Sequence, residues 1–117
     1  MNKSLNNTKQ KGALRFFIYF DKKDKEFVGV CIDIGLIKCG ENPYFVEKDL
    51  TDASFGYVEN VCKNNLPDYL LNELPPQEYL DKFEQYQKLL ANKKIMKNIL
   101  ELFEDARSFI KPIPCYA

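Results

Sequence analysis

Hydrophobic residues fall at every second position between Leu14 and Phe20: Leu14, Phe16, Ile18 and Phe20, with Arg15, Phe17 and Tyr19 between them. Such alternation predicts a strand, because successive side chains of a strand point to opposite faces of its sheet. The run Asp21-Lys22-Lys23-Asp24-Lys25 is too charged for a core and predicts a hairpin turn. The returning strand is expected over residues 27–34, with Val28, Val30, Ile32 and Ile34 on one face and Phe27, Gly29, Cys31 and Asp33 on the other. Gly35 permits a bend, and residues 36–39 read as a third short strand ended by Gly40.

Past Gly40 the period changes. Asn42 is placed to cap a helix whose first position is Pro43, where a missing N–H costs nothing. Val46, Leu50, Ala53, Tyr57 and Val61 then recur at helical steps, predicting one apolar stripe toward the sheet. Asn64-Asn65 and Leu66-Pro67 stop that helix. Residues 69–74 read as one helical turn or a small strand, closed by Pro75-Pro76. Tyr79, Phe83, Tyr86 and Leu90 mark a second helix, supported by the pairs Glu78 with Lys82 and Glu84 with Lys88. Continuing its stripe would bury Lys93, Lys94 and Lys97, so a new one begins after Asn92, with Ile95, Ile99, Leu102, Ala106 and Phe109. That pattern reads as two helices or one bent helix, and residues 109–113 are a candidate edge strand instead.

The fold class expected is α+β. A three-stranded antiparallel sheet, four-stranded if residues 109–113 join it, carries one packed helix in the order β-β-β-α, followed by a C-terminal helical extension. Residues 1–12 are polar, with Lys3, Lys9 and Lys11 and no acid, and are expected to be a disordered tail. Residues 13–66 form the core, and residues 67–117 are expected to pack on it or to build a dimer.

Composition narrows the functional classes. At 117 residues, 45% hydrophobic and 14% aromatic, the chain is one domain able to build a core unaided. Seventeen basic residues balance seventeen acidic ones, so no global field draws nucleic acid or anionic lipid. Four cysteines, Cys31, Cys39, Cys62 and Cys115, form no C-x-x-C pair, and there is no histidine to complete a metal site. They read as small hydrophobes of a reduced, cytoplasmic protein. No apolar leader core or run long enough to span a membrane is present, so no membrane role is expected.

The run from Phe27 to Asn42, with Gly40-Glu41-Asn42 opening a helix and Val46, Leu50 and Ala53 on its inner face, resembles the HicB-like antitoxin domain. The likeness covers residues 14–65, about half the chain. It implies a protein-binding domain that neutralises a small RNA-cleaving toxin and works as a homodimer. The second half shows neither a ribbon-helix-helix nor a helix-turn-helix pattern, the DNA-reading appendages common in that family.

Catalysis finds little footing. Without histidine, and with Ser4, Ser54 and Ser108 outside any glycine-flanked elbow, no nucleophile has a base. Asp33, Glu41 and Asp49 are candidate paired carboxylates, but carboxylates at turns and first helical turns more commonly solubilise or complement a helix dipole. No enzyme activity, cofactor or metal is expected. If the first helix covers Phe16, Ile18, Val30 and Ile32, the opposite face carries Arg15, Phe17, Tyr19 and Phe27, the candidate partner-binding set. The C-terminal helices fold over that aromatic face, or a protein partner does, or bases stack on it as on single-strand RNA-binding sheets. The last alternative makes the chain a nucleic-acid module using the sheet face and the basic tail.

Overall fold

The alternating run becomes strand β1, Ala13–Asp21, in a computed structural model that describes residues 7–91 and 106–113. Asp21 Oδ1 accepts from the amides of Lys23 at 2.9 Å and Asp24 at 3.3 Å, closing the charged turn into β2, Glu26–Cys31. β2 pairs antiparallel with β1 and then with β3, Leu36–Gly40. β2 stops at Cys31 rather than continuing to Ile34. The Gly35 amide donates to the Cys31 carbonyl at 2.9 Å, and Gly35 takes a φ of +70° that favours glycine.

The α+β class holds, with four strands in the order β3-β2-β1-β4. β4, Arg107–Pro112, lies antiparallel to β1 with Phe16 opposite Phe109 and Arg15 opposite Ile110. Two positions of the expected C-terminal helical stripe are thereby corrected. Ala106 precedes the strand, and Phe109 lies within it with its ring stacked 4.9 Å from that of Phe16. The rest of that stripe, residues 95–105, and the lysines at 93, 94 and 97 lie outside the described residues. The second half of the chain is therefore not wholly helical: it completes the sheet.

Helix α1, Pro43–Lys63, starts where the cap was expected, with Asn42 Oδ1 accepting from Tyr44 N at 2.8 Å and Phe45 N at 3.3 Å. Asn42→Ala should cost about 1 kcal/mol of stability, read as a lower midpoint of urea unfolding, because two helix-start amides lose their acceptor. The buried stripe is Val46, Leu50, Ser54, Val58 and Val61; Ala53 and Tyr57 sit half-buried at its flank. A 3-10 turn over Asp68–Leu71 follows, then helix α2, Gln77–Ala91.

The two helices lie against opposite faces of the sheet and create two cores. On the α1 side Leu14, Phe16, Cys31 and Ile34 meet Leu50, Val58, Val61, Leu71 and Ile113. On the α2 side Phe17, Tyr19, Val28, Val30 and Ile32 meet Phe83 and Tyr86, with Leu89 rather than Leu90 added at the edge. Val30 and Ile32 thus lie opposite to the side expected. Residues directly opposite in an antiparallel ladder share a face, and the register pairs Phe16 with Cys31 and Phe17 with Val30.

Residues 7–12, expected to belong to a disordered tail, are held instead, while residues 1–6 lie outside the described residues. The Asn72 side-chain amide acts as a surrogate peptide. Its Oδ1 accepts from Asn7 N and its Nδ2 donates to Asn7 O, both at 2.9 Å. Asn7 Nδ2 donates to Leu71 O at 3.0 Å, and Lys9 Nζ lies 3.0 Å from Asp68 Oδ1. Sequence composition misses this clasp because its bonds are paired one by one to groups about sixty residues away.

Candidate functional site

The four residues expected to share a partner-binding face are dispersed. Phe17 is wholly buried and Tyr19 3% exposed. The Phe17 ring lies 5.0 Å from Tyr19, 5.4 Å from Phe83 and 5.1 Å from Tyr86, so α2 occupies the aromatic face. Burial, then Tyr79 and the carboxylates of Asp21 and Glu78, push the Tyr19 phenol well above its ordinary value, which keeps it neutral. Phe27 belongs to the other face, opposite Phe20, and their rings meet at 5.1 Å. Phe27 is half-buried there, and the Arg15 side chain is 40% accessible.

Arg15 is held by Asp33, a buried carboxylate in the turn between β2 and β3. Asp33 Oδ2 accepts from the Arg15 backbone amide at 2.7 Å, and Oδ1 accepts from Nη2 at 2.9 Å and Nε at 3.2 Å. The Arg15 guanidinium carbon lies 5.9 Å from the centroid of the Phe83 ring. Asp33 is therefore committed to positioning Arg15. It does not form a catalytic pair with Glu41, which lies beyond the far end of β3, or with the exposed Asp49. Asp33→Asn should cost about 2 kcal/mol, because an amide N–H then faces the Arg15 donors. Unchanged chemical unfolding would show that the pair contributes nothing.

Beside Arg15 a cavity of about 280 Å³ opens between α2 and the β4 edge, lined by Arg15, Phe16, Phe83, Gln87, Ser108, Phe109 and Ile110. Strand alternation sends the Phe16 and Phe109 side chains to the α1 face, so their main chain makes the floor. Ser108, Ile110 and Arg15 rise on the α2 side, with Phe83 and Gln87 as the helical wall. Sequence reasoning singled out Arg15 but not Gln87 or Ile110. Those residues acquire a role only through the pairing of β4 with β1.

Apolar surface remains outside the cores. Tyr44 and Phe45, adjacent at the start of α1, are 70% and 68% exposed, and Ile110 of β4 is 66% exposed. Arg107 of β4 joins the two elements: its guanidinium carbon lies 5.3 Å from the centroid of the Tyr44 ring and its Nη2 pairs with Glu47.

The cysteines divide. Burial pushes the Cys31 thiol up to about 11, Cys39 is exposed on β3, and Cys62 is disulfide-bonded, which corrects the expectation of four reduced thiols. Among the described residues no cluster of His, Cys, Asp or Glu is placed to hold a metal ion, and no helix is long and apolar enough to cross a membrane. No family model, no curated protein and no solved structure matches the chain.

Proposed function

We propose that this chain is a non-enzymatic, HicB-like interaction domain that binds and regulates a small, toxin-like protein partner and works as a homodimer. The observation that carries this reading is the uncovered surface formed by Tyr44, Phe45 and Arg107. Tyrosine, phenylalanine and arginine are the residue types enriched at protein interfaces, and adjacent exposed rings are costly to leave wet. The β-β-β-α order and the Asn42-capped helix, which carry the resemblance, add support. Stacking bases on the sheet is disfavoured, because Phe17 and Tyr19 lie beneath α2.

Two measurements test it. Light scattering should report twice the chain mass. The neighbouring gene should encode a small protein that arrests growth, co-expression of this chain should relieve the arrest, and the two should co-purify. The double variant Tyr44→Ser with Phe45→Ser should lose that rescue while its stability changes by less than about 0.5 kcal/mol per site, as expected for exposed positions. A monomer that neither rescues growth nor co-purifies with the neighbouring product overturns the reading.

A further inference from the structure

We propose that the outer edge of β4 takes up an extended segment of the protein partner by strand addition, and that the segment alternates acidic with large apolar residues. The inference rests on the interaction-domain reading and names the partner's chemistry. β4 bonds to β1 along one side, and among the described residues no strand pairs with the other. An unpaired edge offers a row of amides and carbonyls to an incoming strand, and pockets beside it select alternate side chains.

The two faces of β4 differ, and that difference specifies the segment. Arg107, Phe109 and Lys111 lie on the α1 face, and Ser108 and Ile110 on the α2 face. Arg107 pairs with Glu47, while the Lys111 ammonium sits 5.9 Å from the centroid of the Phe109 ring with no carboxylate beside it among the described residues. A strand added here places its α1-side residues next to these cations, which favours glutamate or aspartate. Its α2-side residues meet Ile110 and the cavity of about 280 Å³ walled by Phe83 and Gln87, which favours a large apolar side chain. β3, the other edge, lacks this combination: its Leu36 and Ile37 are half-buried in the two cores.

A second copy fits the edge less well. Symmetric antiparallel pairing centred on Phe109 sets Arg107 opposite Lys111 twice, which is like charge on like charge. Centring on Ile110 sets Pro112, which has no N–H, opposite Ser108.

The probe is a synthetic peptide alternating glutamate with valine and leucine, with its lysine-for-glutamate counterpart as control. Added to the isotope-labelled full chain, the glutamate peptide should slow amide exchange within residues 107–111, and the lysine peptide should not. Lys111→Glu should weaken the glutamate peptide by about fivefold, the scale of an exposed charge pair turned repulsive, with the amide spectrum elsewhere unchanged. Equal binding of both peptides, binding without protection in β4, or no binding of either overturns the proposal. Protection of β4 that grows with protein concentration in the absence of peptide assigns the edge to a second copy and also overturns it. If growth rescue survives in a double variant of Ile110→Asp and Lys111→Glu, the edge assignment fails while the interaction-domain reading stands. If the starting chain gives no rescue, it is the broader reading that fails.

Discussion

Phe17→Ala should lower the free energy of unfolding by about 3–5 kcal/mol, the cost of deleting a buried phenylalanine from a packed core. Phe17 has no exposed surface and its ring packs against Tyr19, Phe83 and Tyr86. Removing it leaves a void bounded by the sheet on one side and α2 on the other. Neither can collapse far into it, because Phe17 sits in the middle of β1, in register with Val30 on one side and Ser108 on the other. Domains of this size are stable by only about 5–15 kcal/mol, so the loss is a large share of the total. Guanidinium unfolding monitored by tyrosine fluorescence measures it, and near-ultraviolet dichroism should weaken as the aromatic cluster loosens. A cost below about 1 kcal/mol would mean that α2 does not cover this face in solution. The aromatic platform would then be open to a partner or to nucleic acid.

Gly12→Ala should cost about 3 kcal/mol, an unusual loss for a single methyl group near the start of a chain. Gly12 has a φ of +139°, a region that side chains other than hydrogen rarely occupy, and an added Cβ would lie 2.2 Å from Asn7 Oδ1. Asn7 cannot step aside without loss. Its Oδ1 accepts from Ala13 N at 2.9 Å and its Nδ2 donates to Leu71 O at 3.0 Å, and the residue is 3% exposed. The Gly12 carbonyl also accepts from the Ile113 amide at 3.1 Å, so the disturbance reaches the end of β4. The expected size combines backbone strain with one or two lost buried hydrogen bonds. A double-mutant cycle sharpens the test. Gly12→Ala and Asn7→Ala act on the same clash and should combine to much less than their sum. Full additivity would show that the Asn7 clasp is absent in solution.

How much of this was legible in the residues depends on how far each signal reaches. The hairpin, the third short strand and α1 follow from local patterns: a period of two before Gly40, a helical period after it, and Asn42 with Pro43 at the helix start. These act through bonds only a few residues apart, and they determine the β-β-β-α order and the α+β class. The face of the sheet on which Val30 and Ile32 lie is different. A shift of one residue exchanges every side chain between faces, and only the ladder pairing Phe17 with Val30 decides it. Phe109 fits the end of a helical stripe as well as an edge strand over residues 109–113, and pairing along β1 selects a strand, Arg107–Pro112. Arg15 and Phe17 stand out as candidate site residues in the sequence. That Asp33 holds the first and α2 buries the second is a product of contacts across the fold. Local periodicity specified the hairpin, the third strand and the two helices, whereas long-range pairing made β4 a strand and decided which faces are left for a partner.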